Sequence, residues 1–159
     1  MSLESVRAHF ARLRLDIPII ELASSTATVA LAAAAHGVEP GRIAKTLAFR
    51  LADARVVLLV ARGDARIDNR KFKQALGKGK MLGAEEVEHI TGHPVGGVCP
   101  FGLARALPVY LDVSLKVFDE VLPAAGAIHS AVRLAPQLLQ HIVEGEWVDV
   151  CQVAEEISG

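Results

Sequence analysis

Alternation of apolar and polar side chains is clearest in the stretch "IAKTLAFRL", which runs from Ile43 to Leu51. A period of two residues predicts a β-strand with one face turned to the interior. Lys45 is the polar member of the inward face, where a charged group is costly unless it has a partner. The pattern leaves two interpretations open: Lys45 meets a partner or a ligand, or it extends along the apolar surface to reach water. The inward positions are Ile43, Lys45, Leu47, Phe49 and Leu51.

The rest of the pattern predicts helices and strands in mixed order. The apolar run at residues 56–61 predicts a strand buried on both faces. Helices are predicted at "SSTATVALAAAAHG", at 68–77 with Asp68 or Asn69 as the cap, at "GAEEVEHITG", and from Pro136 onward. Further strands are predicted at "IPIIEL", "KML", "LPVYLD", "AIHSAVRLA" and "EWVDVC". Because no strand–helix–strand unit repeats at a constant period, we predict an α+β (mixed α/β) fold. It forms a single compact domain over residues 1–159, around a curved, partly antiparallel sheet.

Charge is unevenly distributed in a chain whose net charge is only −1. Between Arg62 and Lys80, seven basic residues stand against two acidic ones, which gives this segment a charge of +5. Such a segment either binds an anionic partner or forms a solvated surface. Its basic residues are Arg62, Arg66, Arg70, Lys71, Lys73, Lys78 and Lys80.

Composition excludes several classes of protein and of site. Hydrophobic residues make up 52% of the 159-residue chain, which excludes a disordered protein. The two cysteines form no CxxC pair and the six histidines are scattered, so we expect neither a metal site nor a disulfide framework. A reducing cytoplasm fits this cysteine usage. The chain shows no apolar run long enough to span a bilayer and no signal-peptide pattern, so we expect no membrane partner.

The stretch "GHPVGGVCPFGL" offers two kinds of chemistry. Cys99 is a conceivable nucleophile with His93 as its base, but no third residue is in evidence to orient that pair. Gly96, Gly97 and Gly102 let a ligand approach the main chain, and a rigid loop of N–H groups can hold an oxyanion or a carbonyl oxygen. The pattern favours the backbone over the thiol.

Four blocks of the chain resemble the YbaK/EbsC family, the free-standing relatives of the editing domain inserted in bacterial prolyl-tRNA synthetase. They are "GRIAKTLAFR", "KFKQALGKGKMLGAEEVEHITGHPVGGVCPFGL", "PVYLDVSL" and "WVDVC", in the family's order. The resemblance implies a barrel-like mixed sheet with flanking helices. It also implies an aminoacyl-tRNA deacylase that acts in trans on a small amino acid such as cysteine or alanine, on tRNA for proline. The implied partners are aminoacyl-tRNA and a synthetase, without DNA and without a cofactor.

The same resemblance assigns site residues. Lys45 falls on the family's motif lysine, which engages the terminal adenosine, with Thr46 beside it. The family's glycine motif, which shapes the pocket and holds the substrate carbonyl or the attacking water, falls on Gly96, Gly97, Pro100 and Gly102. His129 stands where relatives often carry a polar pocket residue, and Ser130 beside it is a further candidate for binding the substrate. His129 replaces the usual residue there and is either a donor or base for the substrate or a histidine bonded at the rim.

The implied reaction gives the basic segment a function as a contact for the tRNA backbone. Two other functions remain open from the sequence. One is a non-catalytic module that binds tRNA or a synthetase, and the other is a thiol hydrolase that uses Cys99.

Overall fold

The strand predicted from alternation lies at the centre of the computed structural model, which describes residues 2–153 without the side chain of Ser2. Strand β2 (Ile43–Leu51) pairs in antiparallel register with β3 (Val56–Arg62), so that Leu47 lies opposite Leu59. The predicted domain over 1–159 includes Met1 and residues 154–159, which lie outside the described residues.

The remaining elements are short and follow the mixed order that the sequence predicts. The helices are α1 (Ser2–Arg12), α2 (Val29–His36), α3 (Asn69–Leu76), α4 (Ala84–Thr91) and α5 (Pro136–Val143), with 3-10 helices at Pro40–Arg42 and Val113–Val117. The other strands are β1 (Ile20–Glu21), β4 (Ala65–Ile67), β5 (Gly79–Met81), β6 (Val109–Asp112), β7 (Leu122–Pro123), β8 (Ser130–Ala131), β9 (Glu146–Val148) and β10 (Cys151–Val153). None of the described helices has the length and apolar character needed to cross a bilayer.

The main sheet is open, which corrects the barrel-like sheet implied by the resemblance. Its strand order is β5-β2-β3-β6-β9, and β7 adds to β2 beside this path. The strands β6 and β9 run parallel to β3, whereas β5 is antiparallel to β2. No pairing among the described strands joins β9 back to β5. Two separate ladders, β1 with β8 and β4 with β10, cover parts of the surface instead.

Strand β3 separates two apolar cores, as its unbroken apolar run predicts. Leu58 and Val60 pack into the larger core with Phe101 and Leu111, while Leu59 packs into the smaller core on the other face. All residues of β3 are buried. Burial on both faces makes β3 the rigid layer on which β2 is held.

The capping residues predicted from the sequence lie at the ends of helices in the structure. The Thr28 side chain accepts the Leu31 N–H at the start of α2, and Gly37 ends that helix in the left-handed region at φ 68°. Asp68, one of two predicted caps, accepts the Lys71 N–H at the start of α3. These caps fix where the basic helix and the alanine-rich helix begin.

Two predicted strands are shorter or divided in the structure. The stretch "AIHSAVRLA" contributes only the two-residue β8 and isolated bridges. The stretch "EWVDVC" divides into β9 and β10, because the Val150 N–H donates to the Asp112 carboxylate and the Val150 carbonyl accepts the Asp68 N–H. These two bonds turn the chain away from the main sheet toward β4.

Candidate active site

A gap in pairing along the edge of β2 creates the site. Strand β7 pairs with Ile43 and Ala44, and β5 pairs with 49–51, so the edge between them has no strand partner in the described chain. The Leu82 N–H donates to the Ala48 carbonyl at 3.0 Å, which shows that even-numbered residues of β2 direct their backbone groups to this edge. The N–H and C=O of Thr46 therefore face the open edge.

A cavity of about 280 Å³ occupies this gap. Strand β2, helix α2, the start of α4 and the loops around Gly96 and Ser130 line it. Its walls are dominated by small side chains, and seven of them are alanine: Ala27, Ala32, Ala44, Ala48, Ala84, Ala124 and Ala131. The cavity is thus a compact, largely apolar space that borders a stretch of unpaired backbone.

Two lining residues carry a buried polar atom with no hydrogen-bond partner in the described chain. They are Thr46, through Oγ1, and His36, through Nε2. A buried polar group without a partner costs about 1–3 kcal/mol, so such atoms are typical of sites that a ligand completes. Thr46 thus brings both side-chain and backbone groups to the cavity.

His36 is the lining residue that sequence reasoning missed. Burial, and then the nearby Arg133 guanidinium, lower the pKa of His36 below its ordinary value, which favours the neutral imidazole. In the sequence this histidine precedes the glycine that ends α2, a position where a histidine also suits the helix dipole. Nothing in the local pattern separates the two roles.

Lys45 lines the cavity and is half-buried, with its ammonium turned toward the hairpin of β3 and β4. Its Nζ donates to the Ala65 carbonyl at 2.5 Å and to the Gly63 carbonyl at 3.3 Å. Burial lowers the pKa of Lys45, while Cys151 and Asp64 act in the opposite direction. An ammonium has three N–H donors, so these two bonds leave one for a ligand.

The glycine motif divides between the cavity and its supports. Gly96 lines the cavity at φ 90°, and a Cβ there would lie 2.7 Å from Ala27 Cβ. Gly97 packs against the Ala127 backbone, and its carbonyl accepts the Gly126 N–H at 3.1 Å. Neither Gly97 nor the buried Pro100 lines the cavity.

Gly102 lies farther along the same loop and against α1. A Cβ on Gly102 would come within 2.5 Å of the Ser5 carbonyl carbon, and the Gly102 N–H donates to His9 Nδ1 at 2.9 Å. Of the four motif positions, the structure therefore brings Gly96 to the cavity and uses the other three to hold the loop in place.

Ser130 and His129 face different surroundings. Ser130 lines the cavity, and its Oγ bonds both the N–H and the carbonyl of Ala127 at 3.0 Å, which closes the turn before β8. The His129 side chain lies outside the lining, with Nε2 3.5 Å from Glu21 Oε1. A contribution of His129 to the pocket stays a prediction.

Comparison with known proteins decides the family of this chain. A family described as the aminoacyl-tRNA editing domain matches residues 23–142, which include α2, β2, the glycine loop and Ser130. The chain belongs to this family. The resemblance to the YbaK/EbsC proteins is thereby confirmed.

Two relatives and one solved structure are similar to most of this chain. The uncharacterized protein YwhH of Bacillus subtilis is 49% identical over 154 residues, 96% of this chain and 98% of that protein. EbsC of Enterococcus faecalis, named as a proposed Cys-tRNA(Pro)/Cys-tRNA(Cys) deacylase, is 29% identical over 116 residues, 72% of this chain and 71% of its own. A crystal structure described as a proposed trans-editing enzyme for prolyl-tRNA synthetase has a TM-score of 0.87 at 31% identity, covering 95% of this chain and 97% of that one. The mixed α/β fold of the editing domain is therefore shared with the structure of that proposed trans-editing enzyme.

The editing domain also contains the cysteine–histidine pair that the sequence left open. Cys99 Sγ lies 3.5 Å from His93 Nε2, but both residues have no exposed surface and neither lines the cavity. His93 Nε2 lies 2.6 Å from the Phe101 carbonyl, which assigns the ring proton to that nitrogen. Burial raises the pKa of Cys99 to about 12, so a thiolate does not form near neutral pH. The pair is part of the core, as the sequence favoured.

The basic segment of the editing domain separates into internal and exposed cations. Arg62 is only 7% exposed, bonds Asp64 through two nitrogens at 2.6 and 2.8 Å, and stacks 4.9 Å from the centre of the Phe118 ring. Lys71 is half-buried and donates to Asp149 and to the Cys151 carbonyl. The remaining five are exposed: Arg66, Arg70, Lys73, Lys78 and Lys80.

Proposed function

We propose that this protein hydrolyses the ester bond between a small amino acid, such as cysteine or alanine, and the 3′ terminal adenosine of a mischarged tRNA. The observation that carries the proposal is the cavity at the open edge of β2, where unpaired backbone and small side chains meet. Alanine walls suit a small aminoacyl group. The name of the relative EbsC supports tRNA for proline as the tRNA. The site of action that we propose is the cytoplasm, where tRNA is charged.

Positioning is the main contribution of the residues at the cavity. The Thr46 N–H is a donor for the ester carbonyl or the ribose, and the Thr46 carbonyl is an acceptor for an ammonium or hydroxyl group. The remaining N–H donor of Lys45 anchors the phosphate or ribose of the terminal nucleotide. Gly96, without a side chain, lets the carbonyl and the attacking water approach the main chain.

Proton transfer in this site relies on few groups. Among the described residues that line the cavity, His36 and Lys45 are the titratable ones, and no carboxylate or thiol is among them. Water attacks the ester carbonyl carbon, the bond from that carbon to the ribose oxygen breaks, and the ribose oxygen gains the proton. Neutral His36 accepts the water proton, or the neighbouring ribose hydroxyl relays it by passing its own proton to the leaving ribose oxygen. Orientation of these groups supplies much of the acceleration.

Binding of the tRNA body involves the exposed cations of the basic segment. Arg66, Arg70, Lys73, Lys78 and Lys80 provide charge for phosphate contacts, which weaken as salt concentration rises. We leave Arg62 out of this surface because its guanidinium is buried against Asp64 and Phe118.

A deacylation panel tests the proposal. Purified protein is mixed with cysteinyl, alanyl, seryl and threonyl esters of tRNA for proline, beside correctly charged prolyl-tRNA. We expect selective hydrolysis of one mischarged ester, with prolyl-tRNA left intact. Failure to hydrolyse any of them, with tRNA still bound, would contradict the proposal and favour the binding module.

A further inference from the structure

A second cleft adjoins the cavity and has a different character. It has a volume of about 570 Å³, and Arg50, Lys78, Lys80, Met81, Leu82 and Glu86 bound it; we call it the β5 cleft. Met81 and Leu82 also line the cavity, so the two spaces share a wall. Three cations and a single acidic residue among these give the β5 cleft an excess of positive charge.

The strand register brings two of the cations together. Arg50 of β2 lies directly opposite Lys80 of β5 in the antiparallel pair. Like charges in this arrangement repel and destabilise the pairing. Glu86 forms an ion pair with Arg50 at 2.6 Å. The exposed side chains of Lys78 and Lys80 have no hydrogen-bond or ion-pair partner among the described residues. The cleft therefore contains positive charge that an anion would neutralise.

Packing beneath β5 holds Lys80 toward the cleft. A Cβ on Gly79 would come within 2.7 Å of the Phe72 ring, so that ring covers one face of β5. Phe72 is itself buried and stacks against Phe49 with ring centres 4.7 Å apart. Alternate residues of a strand face opposite sides, so Lys80 faces away from Phe72. Lys78 lies in the bend before β5 and lines the same cleft.

The β5 cleft and the cavity lie along the same face of β2. Thr46, Ala48 and Arg50 share one face because side chains alternate, and the first two line the cavity while the third lines the cleft. Four residues of strand separate Thr46 from Arg50 by about 13 Å. A chain that places its end in the cavity and leaves past Met81 therefore passes over Lys80 and Lys78.

We propose that the β5 cleft binds the phosphates of the unpaired 3′ strand of tRNA, in the nucleotides that precede the terminal adenosine. This inference rests on the proposed function, because it takes the terminal adenosine to be in the cavity.

The first test measures binding without chemistry. A short fluorescent single-stranded RNA that ends in cytidine-cytidine-adenosine is titrated by anisotropy over a range of salt concentrations. The variants are K78Q/K80Q and, as a matched control with the same charge change on α3, R70Q/K73Q. Removal of one phosphate-binding cation lowers the salt slope by about 0.7, so we expect a decrease of roughly 1.4 for K78Q/K80Q and none for R70Q/K73Q. An equal slope for wild type and K78Q/K80Q, or an equal decrease in both variants, would overturn the proposal.

The second test separates this inference from the proposed function. One amino acid of the deacylation panel is esterified both to adenosine alone and to the cytidine-cytidine-adenosine trinucleotide. K78Q/K80Q is expected to raise KM severalfold for the trinucleotide ester and to leave hydrolysis of the adenosine ester unchanged. If wild type hydrolyses neither ester and none of the tRNA esters of the deacylation panel, the proposed function fails, and the binding test still decides whether the cleft holds RNA. A KM effect of the same size on both esters would contradict a phosphate site.

Discussion

The cavity at the edge of β2 and the buried pair of His93 and Cys99 make an instructive contrast. The pair has the residue types of a nucleophilic site, with sulfur and ring nitrogen 3.5 Å apart. It has no exposed surface, and burial raises the pKa of the thiol to about 12. The cavity is lined by alanines together with Lys45, Thr46, Gly96 and His36, and it is open to solvent. Access from the surface, rather than the reactivity of a residue type, marks the site, because His93 Nδ1 of the buried pair also lacks a hydrogen-bond partner in the described chain.

Replacement of Lys45 by methionine is the strongest way to sharpen this contrast. Methionine keeps much of the apolar stem and removes the donor, so we expect a loss of about 100-fold or more in kcat/KM for deacylation, as when an oriented donor is removed. The measurement is hydrolysis of the ester that wild type prefers. K116M, which changes an exposed lysine outside the cavity lining, is the control. Equal rates for wild type and K45M would remove Lys45 from the mechanism.

Two glycine substitutions divide the loop into its cavity side and its support. G96A places a side chain at φ 90° against Ala27 beside the cavity, and we expect about a 10-fold loss of kcat/KM with a modest loss of stability. G102A instead drives a Cβ into the backbone of α1, with a loss of unfolding free energy of about 3 kcal/mol. Urea denaturation and activity per folded molecule separate the two effects. The interpretation fails if G102A lowers activity per folded molecule more than G96A does.

Removal of the Cys99 thiol tests whether the buried pair of His93 and Cys99 takes part in the reaction. C99A deletes a buried sulfur from the larger core, so we expect unfolding free energy to fall by about 1 kcal/mol while kcat stays that of wild type. Denaturation and the deacylation assay, run on the same preparation, measure both. A variant that is folded and inactive would reinstate the cysteine as a nucleophile.

The smallest effect concerns the pH dependence of stability. Burial lowers the pKa of His93, so the unfolded chain binds this proton more readily and stability is lost as pH falls below the ordinary value of 6.5. Between pH 7.5 and pH 5.5 we expect this histidine to contribute about 1 kcal/mol to the loss. H93L should be less stable at both pH values but should show a smaller difference between them in urea titrations.

Short-range pattern was enough to predict the framework around the cavity. The alternation in β2 and the unbroken apolar run of β3 predicted both strands, and Gly37, Asp68 and Pro136 predicted helix ends. These features depend on periodicity and backbone preferences, which the local sequence determines. The same alternation placed Lys45 on an inward face, where it is half-buried and bonded to two carbonyls.

Long-range pairing decided what the pattern could not predict. The gap at Thr46 exists because β5 and β7 reach the same edge of β2 from distant parts of the chain. No local signal reports that register, and none distinguishes the cavity residue His36 from a histidine that ends a helix. Arg62 was grouped with surface cations because Phe118, whose ring stacks on its guanidinium, lies far away in sequence, although its ion-pair partner Asp64 is close by. Strand order also depends on long-range pairing, so the local sequence did not reveal that the sheet is open and not a barrel.

The position of the gap in β2 has a consequence for the evolution of specificity. Its two borders, Gly79–Met81 and Leu122–Pro123, pair with β2 but come from separate parts of the chain, each with its own connecting segments. An insertion or deletion in either connection can shift one border along β2 without replacing any residue of β2 itself. Related proteins can therefore differ in the size of this cavity through loop length alone, while the lining residues of β2 stay the same.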